Sequence, residues 1–368
     1  DAPLVRDGGA RDGGQSLLRR RRDMNAPVSE LDKLMDAAHV ERVRRAGALV
    51  LDVDDTLLAR ERAGGTGEET FRESAPAALL PELLRRGFNV CLITGHGWQQ
   101  LQTRLIAPLI ECWCEPRDAA ADAATCIERL RVYANRGATK IVRDGERHVT
   151  DEVYGARHQL RAEDMATLCE LLETLGVEFN ASYSARREWF RETFPRFDFA
   201  TLPARVSERE GAVLVLRPIP ARRHAANGES DARAEVYRRG LQLLRRANLS
   251  DDYELAESGR SSIEITRRGV SKEAAMRDLI AELATATGED AARVEASLVY
   301  VGDEFFAGGN DAVIPRVFPR ALCLSVASGH DGRETGAGVV SLAASAGAQG
   351  TAATGAFLAH VLNLSARV

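Results

Sequence analysis

Three short apolar runs that each stop abruptly at acid or hydroxyl residues constrain this chain more than any other feature. Ala48–Leu51 runs into Asp52-Val53-Asp54-Asp55-Thr56, Phe88–Ile93 into Thr94-Gly95, and Leu298–Val301 into Gly302-Asp303-Glu304. Runs this short suit strands buried on both faces rather than helices. Helical patterns lie between and beyond them, at 29–46, 76–87 with Gly87 as the stop, about 98–110, 271–286 and 352–363. Two further strand candidates follow at Ala321–Val326 and Val339–Leu342. Strand and helix in alternation predict an α/β fold, a doubly wound, Rossmann-like core around a parallel sheet.

The middle of the chain has another character. Charged helices at 162–175 and 232–247 alternate with the strand-like runs 212–216 and 262–265, and 224–231 reads as a polar loop. The expected organisation is therefore a core of 29–144 and 263–368, interrupted by an inserted α+β domain at 145–262. Residues 1–28 are expected to form a disordered arm. They lack the apolar stretch of a signal peptide, and Arg19–Arg22, beside Asp12 and Asp23, reads as solvated charge.

Composition removes several classes of function. No run of 18 apolar residues exists, so no spanning helix and no membrane partner are expected. A net charge of −5 gives no field to attract nucleic acid. The six cysteines, at 91, 112, 114, 126, 169 and 323, form no C-x-x-C pair, which fits reduced thiols in a cytoplasmic protein better than a disulfide frame or a zinc site. Among 49 Lys and Arg only Lys33, Lys140 and Lys272 are lysine, a skew that makes each lysine worth weighing individually.

In open α/β sheets ligands bind beyond the carboxyl ends of the strands. Asp52 and Asp54 leave one such end two residues apart, and two carboxylates held close repel unless a cation neutralises them. Mg²⁺ suits such oxygen ligands. The bland alternative is an acidic strand end with no ligand. Thr94 and Gly95, at the start of a helix, suit a phosphate oxygen, or else an ordinary cap. Lys272 falls in the first turn of a helix, where a cation opposes the helix dipole, so a structural role is hard to assign it. Asp303 can complete a metal shell with Asp52 and Asp54, and Asp311, after Gly308-Gly309-Asn310, can join it. Together these groups describe phosphoryl transfer through a carboxylate nucleophile.

The order and spacing of these four motifs resemble the haloacid dehalogenase superfamily of phosphatases and phosphomutases. That resemblance implies Asp52 as nucleophile, Asp54 as general acid/base, Thr94 and Lys272 as phosphate ligands, and Mg²⁺ held by Asp52, Asp54, Asp303 and Asp311. Thr56 and Gly95 would help bind substrate. The insert between Thr94 and Lys272 sits where this superfamily carries its second (C2) type of cap, and Asn135-Arg136-Gly137-Ala138 resembles the segment leading into such caps. Arg217-Pro218-Ile219-Pro220-Ala221-Arg222 resembles a cap strand of phosphomannomutases, which offers Arg217 and Arg222 as substrate-binding groups. A solvated basic edge is the alternative. Asp55 stands where the family carries glycine, and Glu304-Phe305 where the mutases carry Lys-Thr.

The resemblance implies a Mg²⁺-dependent phosphohydrolase that acts on a phosphorylated sugar or related small metabolite through an aspartyl-phosphate. A phosphosugar mutase is the alternative within the fold, and a non-catalytic binding protein the alternative outside enzymes. Caps of this family often pair, so a homodimer is allowed for.

Overall fold

The computed structural model describes residues 37–60, 68–113, 127–144, 147–195, 197–220, 232–258, 261–306, 309–327, 338–342 and 349–365. The arm expected at 1–28, the start of the helix expected at 29–46, the 224–231 loop, Gly308 and Arg222 lie outside the described residues. In chain order the strands are β1 (Ala48–Leu51), β2 (Asn89–Ile93), β3 (Leu130–Ala134), β4 (Thr139–Asp144), β5 (Arg147–Thr150), β6 (Arg205–Arg209), β7 (Val213–Arg217), β8 (Tyr253–Ser258), β9 (Ser262–Arg267), β10 (Leu298–Gly302), β11 (Leu322–Ser325) and β12 (Val339–Ser341). They form a large sheet in the order β12-β11-β10-β1-β2-β3-β4-β5 and a small sheet in the order β6-β7-β9-β8. The doubly wound core and the separate α+β part expected from the sequence are both present.

The described chain divides into two compact units. One comprises residues up to Thr94, Gln99–Val132 and Met276 onward; the other comprises Gly95–Trp98 and Tyr133–Ala275. In the first unit β1 pairs in parallel with β10 on one side and β2 on the other, and β10–β11–β12 continue in parallel. Strand order thus reverses beside β1, which is where open α/β sheets bind ligands. Every residue of β1 and β10 is buried, as strands covered on both faces require. The helix Leu80–Arg85 ends at Gly87, whose φ of +90° only glycine adopts without strain.

The helix expected at 98–110 contains a wider turn. Regular helix at Trp98–Leu101 passes into a π-helical stretch, Gln102–Ile106, and returns to α-helix at Ala107–Trp113. Arg104 lies inside that stretch and is buried. Such π turns recur at functional sites.

In the second unit the antiparallel sheet is covered on both faces. Leu214 and Leu216 of β7 join a cluster with Leu172, Leu175 and Leu255, whereas Val213 and Val215 join Ala138 and Val270. Successive strand side chains point to opposite faces, so burial of both faces turns β7 into a continuous apolar run. The helices Met165–Ala185 and Ala232–Arg246 contribute to the larger cluster. Gly240 lets the latter helix approach: a Cβ there would lie 2.5 Å from Leu255 Cδ2 and 3.1 Å from Leu175 Cδ1. Overpacking of this kind costs about 1–3 kcal/mol. Gly240→Val should therefore lower unfolding free energy by about that amount, read as a smaller urea midpoint at unchanged slope.

Candidate active site

Asp52 is one residue past the last β1–β10 pair, Leu51↔Val301, and its N–H donates to the Val301 carbonyl at 2.9 Å. Asp303 leaves β10 at the same level. Asp311 returns to this point through a turn in which its N–H donates to the Glu304 carbonyl at 3.2 Å. Asp52, Asp303 and Asp311 offer carboxylate oxygens that all lie within 4.8 Å of one another. Asp52 and Asp311 are buried, with 3% and 0% exposure.

The Asp311 carboxylate is fixed from two directions. Tyr300 Oη donates to Oδ1 at 2.6 Å, and the Glu304 N–H donates to Oδ2 at 2.9 Å. Gly302 makes room for it, since a Cβ there would collide with Asp311 Oδ2. Burial, then Asp311 and Asp52, push the Tyr300 phenol well above its ordinary range, so it stays a donor. Tyr300→Phe deletes that donor and should cost about 1–3 kcal/mol of stability, measured by chemical denaturation.

Burial, then Asp52, Asp311 and Glu304, raise the Asp303 carboxyl well above the usual carboxylate range; Arg60 opposes them. Asp303 Oδ1 is buried with no hydrogen-bond partner among the described residues. A hard divalent cation fits this set. All the donors are oxygens, the negative charges need neutralising, and one buried oxygen lacks a partner. The Asp54 carboxylate is not part of the three-acid group. It stands instead 3.8 Å from Arg104 Nη1.

Two arginines at this site carry no motif in the sequence. Arg104 Nε and Nη2 donate to the Glu69 carbonyl at 3.1 and 3.0 Å, and Nη1 lies 3.1 Å from Glu68 Oε2. So tethered, the guanidinium is held toward Asp54. Arg60 bridges Asp55 and Glu304. Its Nε is 3.2 Å from Asp55 Oδ2 and its Nη2 3.4 Å from Glu304 Oε1. Burial alone would lower the Arg60 pKa, but Asp55, Asp54, Glu304 and Asp303 together raise it, so the cation is permanent. Asp55 has a φ of +54°. This left-handed geometry favours glycine, but aspartate adopts it more readily than most residues. Asp55 Oδ1 also accepts from the Arg60 N–H at 3.0 Å, which closes the turn.

Thr56 is fully buried, and its Oγ1 has no hydrogen-bond partner among the described residues. Thr94 is buried two residues past the β1–β2 pair Leu51↔Leu92. Gly95, Arg217 and Lys272 belong to the second unit. Lys272 opens the helix Lys272–Thr287 and is 4% exposed. Ser271 caps that helix, its Oγ accepting from the Ala274 N–H at 3.2 Å. Gly137, with φ of +95°, admits the Ser271 carbonyl, which would lie 2.6 Å from a Cβ at that position. Arg217 is exposed at the end of β7. Of the site residues expected from the sequence, then, the first unit gathers Asp52, Asp303 and Asp311, with Asp54 and Thr56 farther along the same β1 end and Thr94 past the neighbouring β2.

No family profile and no curated protein matches this chain. Among solved structures, an IMP-bound mutant of the Plasmodium falciparum IMP-nucleotidase is similar at a TM-score of 0.51 and 14% identity, over 89% of this chain and 70% of that one. The trehalose-6-phosphate phosphatase of Aspergillus fumigatus is similar at a TM-score of 0.46 and 12% identity, over 89% of this chain and 96% of that one. The nucleotidase likeness bears on the fold alone, a mostly parallel sheet accompanied by a separate antiparallel sheet. No described helix is long and apolar enough to cross a membrane.

The raised Asp303 carboxyl has a consequence for stability. A folded-state pKa above the unfolded value favours folding at low pH, and that contribution is lost as pH rises through the folded value. Asp303→Asn should therefore raise the metal-free melting temperature at neutral pH. Added Mg²⁺ should raise the melting temperature of the unaltered protein, and Asp303→Asn should reduce or abolish that shift. Differential scanning fluorimetry with EDTA and with Mg²⁺ checks both.

Proposed function

We propose that this chain is a Mg²⁺-dependent phosphohydrolase that releases phosphate from a phosphorylated sugar or related small metabolite through an aspartyl-phosphate intermediate. The observation that carries the reading is the convergence of Asp52, Asp303 and Asp311 where the strand order reverses, with Asp54 two residues beyond Asp52 and outside the cluster. That division gives two carboxylates at one turn different tasks.

In this reading an Asp52 oxygen attacks phosphorus and the ester P–O bond breaks. Asp54 gives its proton to the departing alkoxide, so the product leaves as an alcohol. Asp54, now a carboxylate, takes a proton from water. The resulting hydroxide attacks phosphorus, the bond to Asp52 breaks, and phosphate leaves. Asp52, Asp303 and Asp311 would hold Mg²⁺, which supplies neutralising charge for the phosphoryl oxygens. Thr94 and the Gly95 N–H orient those oxygens, and Thr56 assists. Lys272, the lysine set against its own helix dipole, neutralises them further. Arg104 holds the Asp54 carboxylate. The second unit is assigned the selection of substrate, with Arg217 and Arg222 as its candidate contacts. A reduced, cytoplasmic setting fits the cysteine pattern.

A phosphate-release assay over hexose, disaccharide and nucleoside monophosphates tests the reading. Asp52→Asn should lower turnover on the order of a thousandfold or more, and EDTA should abolish it. Lys272→Met should lower kcat/KM by about 10²–10³. Isomerisation of a hexose 1-phosphate, dependent on a bisphosphate activator, would instead favour the mutase. Phosphate release undiminished in Asp52→Asn would overturn the mechanism.

A further inference from the structure

The segment Gly95-His96-Gly97 joins Thr94 to the helix Trp98–Leu101. Two glycines in three residues make it flexible by default. An anion-binding backbone must be ordered before the anion arrives, or binding is weakened by the cost of ordering it.

Its order comes from elsewhere in the second unit. β6 and β7 are joined by a tight turn through Glu210 and Gly211, with φ of +54° and +67°. Two successive left-handed residues suit a hairpin turn, but glutamate is not the usual choice there. A strained residue of this kind persists only where its surroundings hold it. The Glu210 carboxylate is held by the start of the helix and by Asn135. Oε2 accepts the Trp98 N–H at 2.8 Å and Asn135 Nδ2 at 2.9 Å. The Trp98 N–H is one of the donors that a helix start leaves without an internal partner. Gly97 is shaped to the same group, since a Cβ there would lie 3.1 Å from Glu210 Oε1.

The neighbours of Glu210 complete the grip. Arg209 Nη1 donates to the Gly95 carbonyl at 2.7 Å. The Asn135 N–H donates to the His96 carbonyl at 2.7 Å. Arg209 is anchored in turn by the buried carboxylate of Glu264, which Arg136 also contacts. Carbonyls at positions 95 and 96 and the N–H at position 98 are therefore each bound from outside the segment.

We infer that Glu210 is a positioning residue: from the β6–β7 turn it fixes the Gly95–Trp98 backbone in the shape that lets Thr94 and Gly95 receive a phosphate group. This rests on the assignment of Thr94 and Gly95 to the phosphate.

Glu210→Ala and Glu210→Gln, compared with the unaltered protein, test it by two routes. Hydrogen exchange needs no activity. Glu210→Ala should speed exchange of the amides at 95–98 at least tenfold, with the core strands unchanged, and Glu210→Gln, which keeps an acceptor, should recover most of the protection. In the phosphate-release assay Glu210→Ala should raise KM and the inhibition constant of inorganic phosphate about tenfold, with a smaller change in kcat, and Glu210→Gln should fall between. Unchanged exchange at 95–98, or an unchanged phosphate constant in a folded Glu210→Ala protein, overturns the inference. Should Glu210→Ala fail to fold, Gly97→Ala crowds the same carboxylate and is read by the same outcomes. If the unaltered protein releases no phosphate from any ester, the functional reading fails, whereas the exchange result still decides whether Glu210 orders the segment.

Discussion

Repulsion among Asp52, Asp303 and Asp311 is the condition to which the rest of the first unit is fitted. Parallel pairing of β1 with β10 places Asp52 and Asp303 at adjacent strand ends, and no side-chain rearrangement can separate their origins. Burial amplifies the conflict because little water remains to screen it. Part of the charge is spread by hydrogen bonds: Tyr300 and the Glu304 N–H take both oxygens of Asp311. The remainder sits on Asp52 and on Asp303, whose Oδ1 has no hydrogen-bond partner among the described residues. A site in this condition is prepared for a cation, because binding removes a penalty that folding has already incurred.

Arg60 shows how two unfavourable local features can compensate each other. Asp55 puts a charge and a left-handed backbone at the same residue. Glu304 adds a second charge beside Asp303. One guanidinium contacts both. Its own N–H also secures Asp55, so the residue that balances the charge stabilises the turn as well. Taken separately, each of these acids would look unfavourable. Joined through Arg60 they form one local arrangement beside Asp52 and Asp54.

The strand-end acids were legible in the sequence because the physics that buries them is local. An apolar run that stops at an acid must change from packed to polar surroundings within one residue, and Asp52 and Asp303 do so. Lys272 stood out because lysine is scarce here. Arg60, Arg104 and Glu210 were not legible, for one shared reason. Each acquires its role from partners far off in the chain, such as Arg60 with Glu304 or Glu210 with Trp98. In an arginine-rich chain, nothing local marks one guanidinium as different from the others. The π turn at 102–106 was equally hidden, because its apolar spacing is close to that of an ordinary helix.

A second consequence concerns where ordering is done. The strands that carry Asp52 and Asp303 are rigid because both faces are packed, so those acids need little support beyond charge compensation. The segment after Thr94 has two glycines and a short helix, and packing alone cannot hold it. It depends on polar contacts at the backbone, drawn from Arg209, Glu210 and Asn135. Such contacts are directional and fail singly, whereas a packed strand fails only as a whole. Substitutions of the packed apolar residues of β1 and β10 should therefore act mainly through stability. Substitutions at the β6–β7 turn should act mainly on the geometry of the segment it holds. The distinction follows from whether a group is positioned by apolar burial or by hydrogen bonds, and does not depend on how near the group lies to the three carboxylates.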